Sequence, residues 1–235
     1  MTHFTHYPLF PQTLTTSTLE VTDEQSNFLR DYMSKVDYMH NKFGPMLALA
    51  SIDRFILNNN ELLFFKDMIM HEFNNFKNSI MRLNDTTFEM TTSWFTKTPK
   101  GYFSDFHNHN NCMFSGVFYF DDSSQLQFQD YSTRRFYTTP NEYNIYNCDL
   151  YTILPKKNMI VFFDSRLFHA ITPNNSDMMR YSLAFNFIPT RGLHESEAAL
   201  LVNAKDKKLH QVYKGLSTNV VCEAFNWNDN FMLMQ

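Results

Sequence analysis

Glycine is scarce in this chain, with 5 in 235 residues, and so is charge, with Asp, Glu, Lys and Arg together making up 19%. A disordered or linker-like chain is excluded, because such chains are rich in the polar and small residues missing here. The formal net charge of -4 removes the global basic field that drives binding to phosphate backbones, so nucleic acid is not implied. The three cysteines, Cys112, Cys148 and Cys222, show no CxxC spacing, which argues against a disulfide framework or a structural zinc cluster and fits a reducing cytoplasm. No apolar run approaches the roughly 20 residues of a membrane helix, and the opening MTHFTHYPLF lacks the basic and apolar regions of a signal peptide. A soluble cytoplasmic protein is expected.

Aromatic residues are abundant instead, at 17%, led by 25 Phe and 12 Tyr. This favours strands and a thick core. The chain is expected to be a single domain in three parts: a helical front end (1–85), a β core (86–190) and a C-terminal extension (191–235). In the front end, Thr22 and Gln25 have the spacing of a capping box, and Phe28, Leu29, Tyr32, Val36 and Met39 recur at helical intervals up to Gly44 and Pro45. A second helix is expected from Asn60 to about Leu83, with Leu62, Leu63, Met68, Ile69, Phe73, Phe76 and Ile80 on one face. His71 is read as a surface residue of that helix, and His3 and His6 as residues of a peripheral strand or loop.

Beyond Asn84 the texture changes to short Thr- and aromatic-rich runs, and strands are expected near 87–97, 101–107, 113–120, 125–129, 134–138, 143–153, 159–163, 168–172 and 180–188. Turn-forming residues separate them, as at Pro99–Gly101, Pro155–Asn158 and Pro173–Asp177. Eight or nine short strands after a helical layer make the fold class mainly β with flanking helices, a jelly roll or related barrel that holds ligands at its mouth. From 192 a helix is expected over His194–Asn203. The apolar residues between Val220 and Met234 suggest docking onto the body or onto a partner, which leaves a homodimer open.

Chemistry concentrates in the stretch DFHNHNNCMFSGVFYF, Asp105 to Phe120. In an extended strand side chains two apart share a face, so His107 and His109 are expected together at a strand end, and imidazole suits iron, zinc, copper or nickel. Asp105 lies two residues before His107 and is an alternative carboxylate ligand. His169 is a third histidine, in the run MIVFFDSRLFHAITP. In MMRYSLAFNF, alternation puts Arg180, Ser182 and Asn186 on one face, and an Arg turned into an apolar β interior is costly unless it meets an anion. Ser115 and Gly116 are read as permitting tight packing, Cys112 as a small buried residue, and Arg166 and Asp177 as solvated loop charges. The tripeptide HNH is not read as a nuclease motif: its residues are contiguous, precede an all-β run and sit in an acidic chain.

Taken together, HNHNNCMFSGVFYF and FFDSRLFHAITPNNSDMMRYSLAFNF resemble the iron(II)- and 2-oxoglutarate-dependent oxygenases, and more narrowly a family of bacteria and phages with HxH…SGVYY and FPSxLxH…RxSxAFN segments. The resemblance covers residues 88–189. It implies a double-stranded β-helix core, iron(II) held by His107, His109 and His169, and the distal carboxylate of 2-oxoglutarate gripped by Arg180 and Ser182, with Tyr119, Asn186 and Tyr102 as further pocket residues. His109 stands where the wider superfamily places a carboxylate. Dioxygen and a small-molecule or peptide substrate are the implied partners, and the implied outcome is hydroxylation with release of succinate and carbon dioxide in a bacterial cytoplasm or in that of a phage host. Two alternatives stand beside it: a cupin-like three-histidine metal enzyme that does not use 2-oxoglutarate, and a non-catalytic jelly-roll binding module.

Overall fold

A computed structural model describes residues 5, 10–40, 46–122, 124–130 and 139–191 of the chain. By their contacts Met1–Arg191 form one unit, to which all the described residues belong. Two α-helices, α1 (Asp23–Lys35) and α2 (Leu63–Ser79), alternate with β1 (Leu14–Thr18), β2 (Tyr38–Met39) and β3 (Leu49–Ser51) in the front end. The core then runs through β4 (Thr87–Thr98), β5 (Ser104–His107), β6 (Phe114–Tyr119), β7 (Leu126–Gln129), β8 (Leu150–Ile153), β9 (Met159–Asp164), β10 (Phe168–Ile171) and β11 (Arg180–Arg191). The strands form a seven-stranded sheet of order β1-β9-β6-β11-β4-β3-β2 and a four-stranded sheet of order β5-β10-β7-β8. All pairings between these strands are antiparallel. This is the double-stranded β-helix that the resemblance implies.

The large sheet is buried on both faces, which explains why β6 reads as an unbroken apolar run, FSGVFY, instead of an alternating one. Its outer face packs Phe114, Phe118, Leu183, Phe185 and Phe187 against Leu29 and Met33 of α1 and Phe65, Ile69, Phe73 and Phe76 of α2. The four α2 residues recur at intervals of three and four, so one stripe of that helix meets the sheet. Phe73 stacks on Phe187 at 3.7 Å between ring centroids, and Phe65 meets Phe118 edge-on at 5.1 Å. Each such buried ring contributes about 1.5–3 kcal/mol of hydrophobic stabilisation. The inner face joins Val117, Tyr119, Val161, Phe163 and Ala184 to Leu126, Phe128 and Ile171 of the smaller sheet.

Thr22 and Gln25 form the capping box, each side chain accepting the other's backbone N–H, and start α1 one residue after the cap. The second helix is shorter than the sequence suggests, because residues 60–62 form a 3-10 turn and the α-helix ends at Ser79. The strand expected over 143–153 begins only at Leu150: the Asn144 and Asn147 side chains accept backbone N–H groups of Tyr146 and Asn144 and fold 144–147 into a turn. Similarly, β5 starts at Ser104, since Gly101 adopts φ +79° in a turn where Tyr102 N–H donates to the Pro99 carbonyl. The strand expected at 134–138, the helix at His194–Asn203, the C-terminal segment, and His3 and His6 lie outside the described residues.

Candidate metal centre

His107 ends β5 and His169 lies in β10, where the two are directly opposite partners in an antiparallel ladder. Register alone therefore brings their imidazoles to 4.4 Å between ring centroids. His109 arrives differently from the sequence expectation. The strand stops at His107, the chain turns through Asn108–Asn111, with Asn111 at φ +62°, and the His109 N–H donates to the Ser165 carbonyl at 2.9 Å. A backbone bond to the β9–β10 turn, not alternation along one strand, sets its ring 5.3 Å from His107 and 5.1 Å from His169. One nitrogen from each histidine can be chosen so that all three lie within 4.8 Å of one another. No carboxylate belongs to this group among the described residues.

The backs of the rings are tied down. His107 Nδ1 donates to the Asp105 carbonyl at 2.7 Å and His169 Nδ1 to the Leu167 carbonyl at 2.9 Å. His109 Nδ1 donates to Asn186 Oδ1 at 2.7 Å and lies 2.9 Å from Ser115 Oγ. Hydrogen bonds at Nδ1 fix the tautomer whose Nε2 carries the lone pair, the form a metal needs. Burial pushes the His169 imidazole well below its ordinary pKa, and His107 and His109 push the same way. Burial also lowers the pKa of His109, against the opposing bond to Asn186. Both rings are therefore neutral at physiological pH and available as ligands.

Behind His109 lies a network that the sequence did not reveal. Ser115 Oγ–H donates to Asn186 Oδ1 at 2.7 Å and lies 2.8 Å from Ser165 Oγ, while Asn186 Nδ2 donates to Thr92 Oγ1 at 2.8 Å. The β6–β11 register makes it possible by pairing Ser115 with Asn186. Alternation did put Arg180 and Asn186 on one face of β11, but the pairing of that face with Ser115 of β6 is non-local. Asn186, expected as a pocket residue, has its amide turned to His109. Gly116 does mark a close approach, since a Cβ there would collide with the Phe185 ring and lie 2.7 Å from the Val161 carbonyl oxygen. Cys112, expected to be buried, is half-exposed, its thiol 3.6 Å from the Asn110 carbonyl.

A second polar cluster lies on the same inner face. Arg180 pairs with Thr98 in the ladder, and Ser182 pairs with Tyr119. Arg180 is 4% exposed, and its Nη1 has no hydrogen-bond partner; Tyr119 is fully buried, and its Oη has none either. Burial lowers the Arg180 pKa and raises that of Tyr119, each opposed by the other group. Among the described residues no carboxylate pairs with this buried guanidinium, which leaves it able to accept an anion. Asp105 is elsewhere: it is exposed, its carboxylate accepting the Phe106 N–H. Trp94 was not anticipated, and its ring stands 5.7 Å from that of His109.

This donor set suits a divalent iron, and the buried cation suits a dicarboxylate. A family model described as "Putative 2OG-Fe(II) oxygenase" matches residues 92–186, from within β4 to within β11. No curated protein sequence matches the chain. Among solved structures, a prolyl-4-hydroxylase from Pseudomonas putida is similar at a TM-score of 0.50 and 15% identity, over 75% of this chain and 92% of that one. HygX from Streptomyces hygroscopicus, with nickel, 2-oxoglutarate and hygromycin B bound, gives 0.51 and 9%, over 76% and 84%. A prolyl hydroxylase from Trichoplax adhaerens, in complex with a hypoxia inducible factor oxygen degradation domain peptide fragment, gives 0.51 and 15%, over 74% and 83%. At such identities the likeness is one of fold; the family model adds that the segment carrying the three histidines and Arg180 is similar to that of the 2OG-Fe(II) oxygenases, enzymes that use iron(II), 2-oxoglutarate and dioxygen.

Proposed function

We propose that His107, His109 and His169 hold the iron(II) and that Arg180 and Ser182, with Tyr119 beside them, hold the distal carboxylate of 2-oxoglutarate, in an enzyme that hydroxylates its substrate. The observation that carries this reading is the pairing, inside one β-helix, of three convergent histidines with a buried arginine whose Nη1 is unpartnered. Bound there, iron(II) and 2-oxoglutarate supply the oxidising chemistry that places one oxygen atom of dioxygen on a C–H carbon and the other in succinate, with loss of carbon dioxide. The chain's own part is position and polarity. The carbonyls of Asp105 and Leu167 and the Asn186 amide orient the three rings, so the lone pairs are presented before any metal arrives. Arg180, itself 4% exposed, offers a charge-assisted fork, stronger than a neutral hydrogen bond.

The proposal extends to a substrate that is a small molecule or a peptide and to a cytoplasmic location in a bacterium or a phage host, supported by the scattered cysteines. Among the described residues no helix is long and apolar enough to cross a membrane. A homodimer through the apolar C-terminal segment is part of the same proposal, and a monomer by light scattering would remove it. The central test is turnover. Purified protein with iron(II) is expected to convert 2-oxoglutarate to succinate, with the His169→Ala protein losing its iron and the Arg180→Gln protein requiring about 100-fold more 2-oxoglutarate. Full iron binding by the His169→Ala protein, or no binding of 2-oxoglutarate by the parent, would sink the assignment.

A further inference from the structure

A cleft of about 470 Å³ opens directly beside His107 and is lined by Ala48, Ala50, Arg54, Trp94, Thr96 and Asp105, among others. Its volume is that of a small-molecule site. Trp94 and Thr96 sit on β4 opposite Ala184 and Ser182, so they belong to the inner face that carries Arg180 and Asn186. The cleft is therefore the wall of the metal centre that faces outward between β3, β4 and β5, while Arg180 serves the interior.

Arg54 stands out in it. Its guanidinium lies over the Trp94 ring at 5.8 Å from the centroid, and Trp94 in turn stands 5.7 Å from the His109 ring. The segment around it is fastened to β4: the Ser93 N–H donates to the Arg54 carbonyl at 2.8 Å, the Leu57 N–H to Ser93 Oγ at 3.0 Å, and the Phe95 N–H to Ser51 Oγ at 3.1 Å. The side chain is thus presented from a segment hydrogen-bonded to β4. Yet among the described residues no carboxylate reaches it. Asp53, its neighbour, accepts from the Phe55 N–H and from Asn59 Nδ2, and Asp105 accepts from the Phe106 N–H. Among the described residues the guanidinium's one polar contact is with Met39 Sδ, at 3.8 Å, a poor acceptor. Arg54 is half-exposed, so an anion entering the cleft can reach it, and partial burial lowers its pKa with no acid opposing the shift.

We propose that Arg54, backed by Trp94, is the subsite for an anionic group of the substrate, a carboxylate or a phosphate, and that binding this group in the cleft brings the remainder of the molecule to the metal centre beside His107. The inference rests on the oxygenase reading and deepens it: of the small molecules and peptides open to the enzyme, it selects those that carry an anionic group. Arg54 acts in recognition and positioning, since the reacting carbon belongs at the metal.

Three probes of one size test it: benzoate, phenyl phosphate and the uncharged benzamide. Each is titrated by calorimetry into protein loaded anaerobically with iron(II) and 2-oxoglutarate, with retention of 2-oxoglutarate measured in the same sample. At least one anion is expected to bind about ten-fold or more tightly than benzamide, and the tighter of the two identifies the group. That preference is expected to fall to about two-fold or less in Arg54→Gln and to survive in part in Arg54→Lys. Equal binding of all three probes by a parent that retains 2-oxoglutarate overturns the subsite alone, as does a preference that persists in an Arg54→Gln protein retaining 2-oxoglutarate. A parent that retains no 2-oxoglutarate overturns the oxygenase reading and the subsite with it.

Discussion

The hydrogen-bond network behind His109 can be broken at one point, by Asn186→Ala. Asn186 Oδ1 accepts two bonds of 2.7 Å, from His109 Nδ1 and from Ser115 Oγ, and the site is buried. Its loss leaves the His109 ring only Ser115 Oγ, at 2.9 Å, and frees the ring to rotate. Leaving a buried donor unsatisfied costs about 1–3 kcal/mol, and the vacated amide adds a small cavity, so a stability loss of about 2–4 kcal/mol is expected by urea unfolding. Loss of a group that orients a metal-binding histidine typically weakens the metal by about 10–100-fold, equivalent to about 1.4–2.8 kcal/mol. Competition against a chromophoric chelator would read that affinity anaerobically. Ser115→Ala keeps the Asn186–His109 bond and is expected to lie between the parent and Asn186→Ala, which guards against a variant that simply fails to fold. Iron affinity within about two-fold of the parent in a destabilised Asn186→Ala protein would refute the reasoning, because the network would then be plain core packing.

Two further outcomes are expected. Gly116→Ala pushes a Cβ into the Phe185 ring and against the Val161 carbonyl, and overpacking of this kind is expected to cost about 1–3 kcal/mol by thermal or urea unfolding. In metal-free protein, the lowered pKa values of His109 and His169 mean that the folded state takes up protons less readily than the unfolded chain, whose histidines titrate near 6.5. Stability is therefore full above that value and falls as pH drops below it, by up to about 1.4 kcal/mol per pH unit for each histidine; a flat profile between about pH 7 and 5.5 would contradict the burial argument.

Much of this was legible in the chain, and what was not has a common physical origin. The capping box at Thr22, the apolar stripe of α2 and the parity of Arg180, Ser182 and Asn186 on β11 are local patterns, readable from periodicity alone. His109 misled because its position depends on the Ser165 carbonyl, 56 residues further on, instead of on strand alternation. Residues 143–149 misled because Tyr143, Ile145 and Tyr146 resemble a strand, while the Asn144 and Asn147 side chains close a turn. The short β2 and β3 carry too few residues to show a period. The Ser115–Asn186 bond and the Arg54–Trp94 stack each join positions about 40 or more residues apart, and only the register of the sheets brings them together.

The absence of a carboxylate from the histidine group has a thermodynamic consequence. With the proposed ligands, three imidazoles and no carboxylate leave the full charge of a divalent iron uncompensated, and the nearby acids do not offset it. Asp105 is exposed and turned to its own strand. Asp164, whose pKa burial would raise, is instead held below the usual range by the bonds and charge of Arg166, and that ion pair neutralises it. The counter-charge must then come with the dianionic 2-oxoglutarate, and the two ligands are coupled. By linkage, whatever factor 2-oxoglutarate adds to iron affinity, iron must add to 2-oxoglutarate affinity. A factor of about 10–100 is expected, or about 1.4–2.8 kcal/mol. Arg180→Gln should weaken 2-oxoglutarate binding while leaving iron affinity in the absence of 2-oxoglutarate unchanged, because Arg180 lies outside the histidine group. Anaerobic titration of iron with and without saturating 2-oxoglutarate measures the factor directly. Iron bound equally well in both cases would mean that the site finds its negative charge elsewhere, and the three-histidine assignment would have to yield to one that includes a carboxylate.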